Sequence, residues 1–423
     1  MSEIQNYISS YCREGVEYKP LSSVLHSIST GLNPRKNFRL NTDDAENYYV
    51  TVKEFTSGKI IFNEKTDRIN DDAVSIIQRR SRLEQGDLLL SGIGTIGKVA
   101  LVDIPVGNWN CSESVFLLKP NTKIIDPVFL KYILQGSEVQ SVWNGEAVGS
   151  TLRGIRRSTL EALEIPVPPL EVQRKIVEVL DNFSELTAEL TAELTAELTA
   201  RQKQYEYYRE NLLSFNNINR GQSEVKWLTL GEIGTFTRGR RFVRNDVVEE
   251  GYPCIHYGDM YTYYGLSATE TKTFINEGLA SKLRFAHKND VVIVGAGEND
   301  EDIGIGLAWL GDSAPAVHDA CYIFTHKQNP KYISHFLRTH SYHQQIKKYV
   351  SSGKICSISA EGVGKAIIPI PSLQEQERIV EILDKFEKLT TDLTEGLPAE
   401  IKARQQQYEY YRDKLLTFRR KAC

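Results

Sequence analysis

Residues 185–200 read ELTAELTAELTAELTA, a four-residue unit repeated in register. Such a unit is too short for strand alternation to bury a useful face. On an α-helix four residues advance ~400°, so successive leucines lie almost above one another. The repeat therefore predicts an apolar stripe of Leu186, Leu190, Leu194 and Leu198 that another surface must cover. A parallel stripe of Glu185, Glu189, Glu193 and Glu197 gives an isolated helix no help, because like charges four apart repel. The periodicity extends in both directions, predicting one helix from Leu170 to Phe215, ~70 Å long at 1.5 Å per residue. A helix longer than a small domain is wide must connect bodies. It reads as a spacer.

The surrounding chain is duplicated. ARQKQYEYYRENLLSF at 200–215 returns as ARQQQYEYYRDKLLTF at 403–418, an offset of 203 residues. The same offset pairs Pro166 with Pro369, Gln173 with Gln376, Phe183 with Phe386, Gly92 with Gly295 and Ile155 with Ile358. A tyrosine-rich block repeated in register is not convergent composition. Each repeat holds a globular region of mixed α/β periodicity followed by a long helix. The expected partition is 1–165, 166–218, 219–368 and 369–423. Apolar runs stopped by glycine, Asp87–Ser91 and Asp290–Val294, predict buried strands. Asp126-Pro127 and Asn329-Pro330 predict capped helix starts. Gly396 and Pro398 predict a break in the second long helix where the first has none.

Composition bounds the function. The 423 residues are 41% hydrophobic and 25% charged, with a net charge of −4, values ordinary for a soluble globular protein, here of two or three domains. Six cysteines stand singly, a spacing that argues for reduced thiols in a cytoplasmic protein and against a zinc ribbon or a disulfide scaffold. Neither a signal peptide nor a membrane span is expected.

Several motifs fall short of chemistry. GIGTIGKV at 92–99 approaches a phosphate-binding loop, yet Val99 stands where magnesium needs a hydroxyl, and a strand pattern follows. A strand-to-strand glycine turn is the expectation. His340 and His343 lack further ligands, so no metal site is predicted. No nucleophile, base or cofactor fingerprint appears. Basic clusters remain: Arg79, Arg80 and Arg82; Arg153 and Arg156; Arg238, Arg240 and Arg241; and Lys347. Tyr257 follows the third cluster closely. Arginines beside aromatic side chains suit phosphate contact with base-edge reading, so these residues are the candidate DNA contacts.

Two divergent globular halves alternating with two near-identical segments, IPVPPLEVQRKIVEVLD and IPIPSLQEQERIVEILDKF, each leading to QYEYYRxxLLxF, resemble the specificity subunit of type I restriction–modification systems. The resemblance implies two target recognition domains, each reading one half of a split DNA site. It also implies two long antiparallel coiled-coil helices as a ruler, in a pseudo-twofold arrangement. Two methyltransferase subunits and translocase–endonuclease subunits would assemble on the chain. S-adenosylmethionine, ATP and magnesium would belong to those partners, leaving this chain non-catalytic. A coiled-coil adaptor without DNA contact would explain the helices but not two divergent basic halves.

Overall fold

The computed structural model describes residues 2–146, 154–215, 225–353, 355–392 and 395–422. Its first long helix, α1 (Leu170–Ser214), is unbroken over 45 residues. The second is split into α2 (Leu373–Thr391) and α3 (Leu397–Leu416). Gly396 sits so close beneath the preceding turn that a Cβ there would stand 2.7 Å from the carbonyls of Lys388 and Asp392. Pro398 has no N–H to carry the helix on from that turn, which explains the break.

The chain forms two compact units, Met1–Thr191 with Lys402–Cys423, and Ala192–Ile401. Each contains one globular region, part of α1, and part of the second long helix. In the first unit a four-stranded antiparallel sheet runs Leu25–Thr30, Val115–Pro120, Leu88–Ser91, Val99–Leu101. In the second, the corresponding order is Gly234–Arg238, Cys321–His326, Val291–Val294, Gly306–Trp309, with Ser267–Ala268 added in parallel at the edge. A smaller sheet beside each holds one parallel pair: Asn47–Val50 with Trp109–Cys111, and Tyr252–Ile255 with Ala316–Val317. The expected mixed α/β character and internal repeat are both present. The glycine loop at 92–97 is a hairpin turn into Val99–Leu101, with Gly94 and Gly97 at φ of 80° and 81°.

The duplication is most legible in buried polar contacts. Gln173 and Gln376 are both fully buried. Gln173 accepts from the Asp126 N–H at 2.8 Å and donates to the Pro168 carbonyl at 2.7 Å. Gln376 does the same with Asn329 and Pro371, at 2.9 and 3.0 Å. Asp126 and Asn329 then cap the helices Pro127–Gln135 and Pro330–Phe336, as their sequence context predicts. Ile155 bonds Gly92 at 2.8 Å, and Ile358 bonds Gly295 at 2.9 Å. An unpaired buried amide costs ~1–3 kcal/mol, so these side chains hold position even where surface residues have diverged.

Each unit is completed by the long helix of the other repeat. In the first unit Phe183 of α1 meets Tyr408 and Tyr411 of α3, with ring centroids 5.9 and 5.7 Å apart. Asp413 accepts from the Ser137 hydroxyl and, at 3.3 Å, from its N–H. The tail beyond α3 pairs with the chain's beginning: the Val16 N–H bonds Arg419 at 2.8 Å, and the Lys421 N–H bonds Val16 at 2.9 Å. In the second unit Tyr205 and Tyr208 of α1 stack on Phe386 of α2. There Glu210, the counterpart of Asp413, accepts from the His340 N–H and from Ser341 at 3.4 Å.

The leucine stripe departs from its expected course. Leu186 and Leu190 are 62% and 36% exposed, whereas Leu194 is buried at 9% and Leu198 half-buried. The covered line instead passes through Leu180, Phe183, Thr187, Thr191, Leu194, Leu198 and Tyr205. A strict four-residue step gains ~40° per repeat, so four leucines wind through ~120° of the helix surface. A straight seam alternates steps of three and four, and only half of the leucines fall on it.

Candidate nucleic-acid interface

In the second unit three segments converge at one end of the sheets. The strand Gly234–Arg238 runs into Gly239, whose N–H bonds Cys321 at 3.0 Å. A Cβ on Gly239 would lie 2.2 Å from the His318 carbonyl, so only glycine permits this approach. The Arg240 N–H then bonds Val317 at 3.0 Å. This pins the backbone and leaves the side chains of Arg238, Arg240 and Arg241 exposed. The Arg238 Nε–H donates to the Asp319 carbonyl at 2.8 Å, and Arg284 donates to the Arg238 carbonyl at 2.6 Å.

Because Tyr252–Ile255 and Ala316–Val317 are parallel, the residues that follow them, His256 and His318, emerge side by side. Their ring centroids are 4.9 Å apart, and Tyr257 lies 4.6 Å from His256 and 5.3 Å from His318. Phe242 closes the group edge-on to His318 at 4.9 Å. Burial pushes both imidazoles below their ordinary range, against the nearby carboxylates of Asp259 and Asp319. The His318 ring is fully engaged. Its Nδ1 accepts from the Ala320 N–H at 3.1 Å, and its Nε2 donates to the Phe242 carbonyl at 3.2 Å. The result is a rigid aromatic floor beneath an arginine loop.

The first unit builds the same place from different residues. A Cβ on Gly31 would lie 1.7 Å from the Cys111 carbonyl, the counterpart of the Gly239 approach. Thr51 and Ser112 follow the parallel strands where His256 and His318 stand in the second unit. The loop after Gly31 carries Asn33, which donates to Glu113 at 2.6 Å, and then the exposed Arg35 and Lys36. Tyr49 braces it, donating to the Leu32 carbonyl at 2.8 Å.

The sequence candidates distribute unevenly. Arg238, Arg240, Arg241 and Tyr257 are brought together. Arg80 reaches the corresponding place in the first unit, donating to Thr30 at 3.2 Å, with the exposed Arg79 beside it in the same helix. Arg82 is exposed and loosely paired with Glu84 at 3.9 Å. Arg156, also exposed, precedes the helix Arg157–Ala162. Arg153 lies outside the described residues. Lys347 belongs to a different group, lining a cleft of about 1040 Å³ with Lys203, Arg209 and Arg338. Arg35, Lys36, His256 and His318 were not legible from clusters of charge. The available signal was a strand-ending glycine before a basic loop, but Gly31 and Gly239 are offset by 208 residues, outside the constant register.

Among the described residues, His335, Asp384 and Glu387 are the group close enough to hold a metal ion, with ligand atoms within 4.8 Å. All three have protein partners: Tyr205 on His335 at 3.2 Å, Lys331 on Asp384 at 2.7 Å, and the Leu266 N–H on Glu387 at 3.2 Å. His340 and His343 likewise contact Gln344 and the Leu337 carbonyl.

The family model described as the type I restriction modification DNA specificity domain matches twice, over residues 13–200 and 222–403. The chain belongs to this type I specificity family. It is 37% identical over 269 residues to the EcoR124I/EcoR124II specificity subunit of Escherichia coli, covering 60% of this chain and 63% of that one. The match thus spans less than two thirds of that relative's length. The EcoprrI specificity subunit of Escherichia coli is 25% identical over 388 residues, 90% of each chain. A solved structure described as underlying complex assembly and conformational transition of the type I R-M system covers 95% of this chain and 97% of its own, with a TM-score of 0.68. At 17% identity that likeness establishes the fold. No helix among the described residues is long and apolar enough to cross a membrane.

Proposed function

We propose that this chain is the DNA-reading and assembly subunit of a type I restriction–modification complex. Each unit reads one half of a bipartite double-stranded DNA site through its strand-end surface. The observation that carries this reading is the pair of equivalent places built on one backbone plan, with Gly31 and Gly239 at matching approaches and different side chains around them. A scaffold kept constant while its exposed residues diverge suits two readers of different sequences. Arg79, Arg80, Arg35 and Lys36 would contact phosphate or bases in the first half. Arg238, Arg240, Arg241 and Tyr257 would do so in the second. Arg82, Arg156 and Lys347 lie apart from these groups, and Arg153 falls outside the described residues.

Two methyltransferase subunits and the translocase–endonuclease subunits would assemble on the long-helix segments in the cytoplasm. Transfer chemistry, with S-adenosylmethionine, ATP and magnesium, would belong to them. Methylation mapping of DNA from cells carrying the chain with those partners tests the reading, and a bipartite methylated motif is expected. Replacing Arg238, Arg240 and Arg241 together by alanine should weaken DNA binding and flatten its salt dependence, by up to ~0.9 log unit per lost phosphate contact. Unchanged affinity at low and high salt would assign that loop to solvent.

A further inference from the structure

We infer that His256 is a specificity-determining residue, a fixed hydrogen-bond donor that ties one position of the second half-site to guanine. The inference rests on the strand-end surface facing DNA, and adds which base edge it reads.

The argument begins with the tautomer. His256 Nδ1 accepts the Gly258 N–H at 3.1 Å, so in the neutral ring the proton sits on Nε2. Burial keeps the ring neutral by lowering its pKa below the ordinary histidine range. Nε2 meets no protein partner among the described residues, and it is not sealed from solvent. His318, in the neighbouring position, spends its own Nε2–H on the Phe242 carbonyl and has nothing to offer a ligand. One imidazole of the pair is therefore structural, and the other presents a single donor.

That donor is also immobile. Tyr257, His318 and Phe242 lie within 4.6, 4.9 and 6.0 Å of the His256 ring. The turn to Gly258 fixes its orientation, so little entropy is lost when it engages a base. In the major groove guanine presents two adjacent acceptors, N7 and O6. Adenine sets its N6 donor beside N7, and cytosine presents a donor. A lone N–H donor without acceptor capacity favours guanine over both, and over thymine, whose single acceptor O4 lies beside the bulky C5 methyl group. The arginines on the adjoining loop supply the phosphate contacts that hold the ring at the groove.

The test uses the chain assembled with its methyltransferase subunits and duplexes carrying the mapped methylation site. Each guanine of the second half-site is replaced in turn by 7-deazaguanine, which lacks N7, or by 2-aminopurine, which lacks O6. At one position the wild-type complex should lose ~2- to 13-fold in affinity, the range of one neutral hydrogen bond. H256F keeps a ring against Tyr257 and His318, and should lose discrimination at that position alone. Its reading of the first half-site should be unchanged. H256F that discriminates like wild type at every position overturns the inference, as does wild type indifferent to both analogues throughout. Loss of all site-specific binding by H256F would overturn it too, making the ring structural. A wild-type complex with no sequence-specific binding would instead overturn the DNA-reading function beneath it.

Discussion

Leu186 and Leu194 offer a controlled comparison, being the same residue in the same repeat of one helix. Leu194 is 9% exposed and Leu186 62% exposed. Truncation to alanine removes the same atoms and changes helix propensity equally, so any difference reports the seam. Complete burial of a leucine side chain is worth ~1.5–3 kcal/mol, and truncation in a packed site adds a cavity term. Leu194→Ala should therefore cost ~2–3 kcal/mol, against less than ~1 kcal/mol for Leu186→Ala. Two compact units make a single unfolding free energy ill-defined. The suitable assay is amide exchange across 180–205 in the isolated chain, with urea midpoints for comparison. Exchange should accelerate in L194A and barely change in L186A. Equal acceleration would mean that all four leucines share one covered face, and the seam described above would be wrong.

Burial holds His335 down to about 4 from its ordinary 6.5, so the unfolded chain takes up this proton first. The stability it contributes is complete above pH 6.5 and falls as the pH drops toward 4, and H335Q should reduce that loss between pH 7 and 5. Identical midpoint shifts in both proteins would discount the residue, although His326, similarly depressed to about 4, leaves part of the slope in either case. Gln376→Ala strands the Asn329 N–H and the Pro371 carbonyl and should cost ~1–3 kcal/mol in the second unit, with Gln173→Ala doing likewise in the first. Calorimetry that finds either change neutral would show the network to be replaceable. Deleting Thr191–Leu194 shortens α1 by ~6 Å and turns its far end by ~40°, so the methylated half-sites should move closer by one, at most two, base pairs. Mapping that finds their spacing unchanged would remove the ruler role.

What the chain's own letters determined was whatever depends on neighbours in sequence. The 45-residue helix follows from a four-residue period that no strand accommodates. Gly396 and Pro398 foretold the break in its counterpart, and Asp126 and Asn329 foretold their helix caps. The duplication followed from register alone, and with it the family resemblance. Tertiary structure decided matters of alignment between distant segments. It chose which leucines lie on the seam, because a 40° drift per repeat is invisible until a surface packs against the helix. It completed each globular region with the other repeat's helix, through Asp413 in one unit and Glu210 in the other. It also gathered Gly239, His256 and His318 from three separate stretches, because two parallel strands end at the same level and a glycine lets a third lie against them. No local pattern records that meeting. Sheet register and the glycine approach create it together, and they set the loop of Arg238, Arg240 and Arg241 beside the two imidazoles.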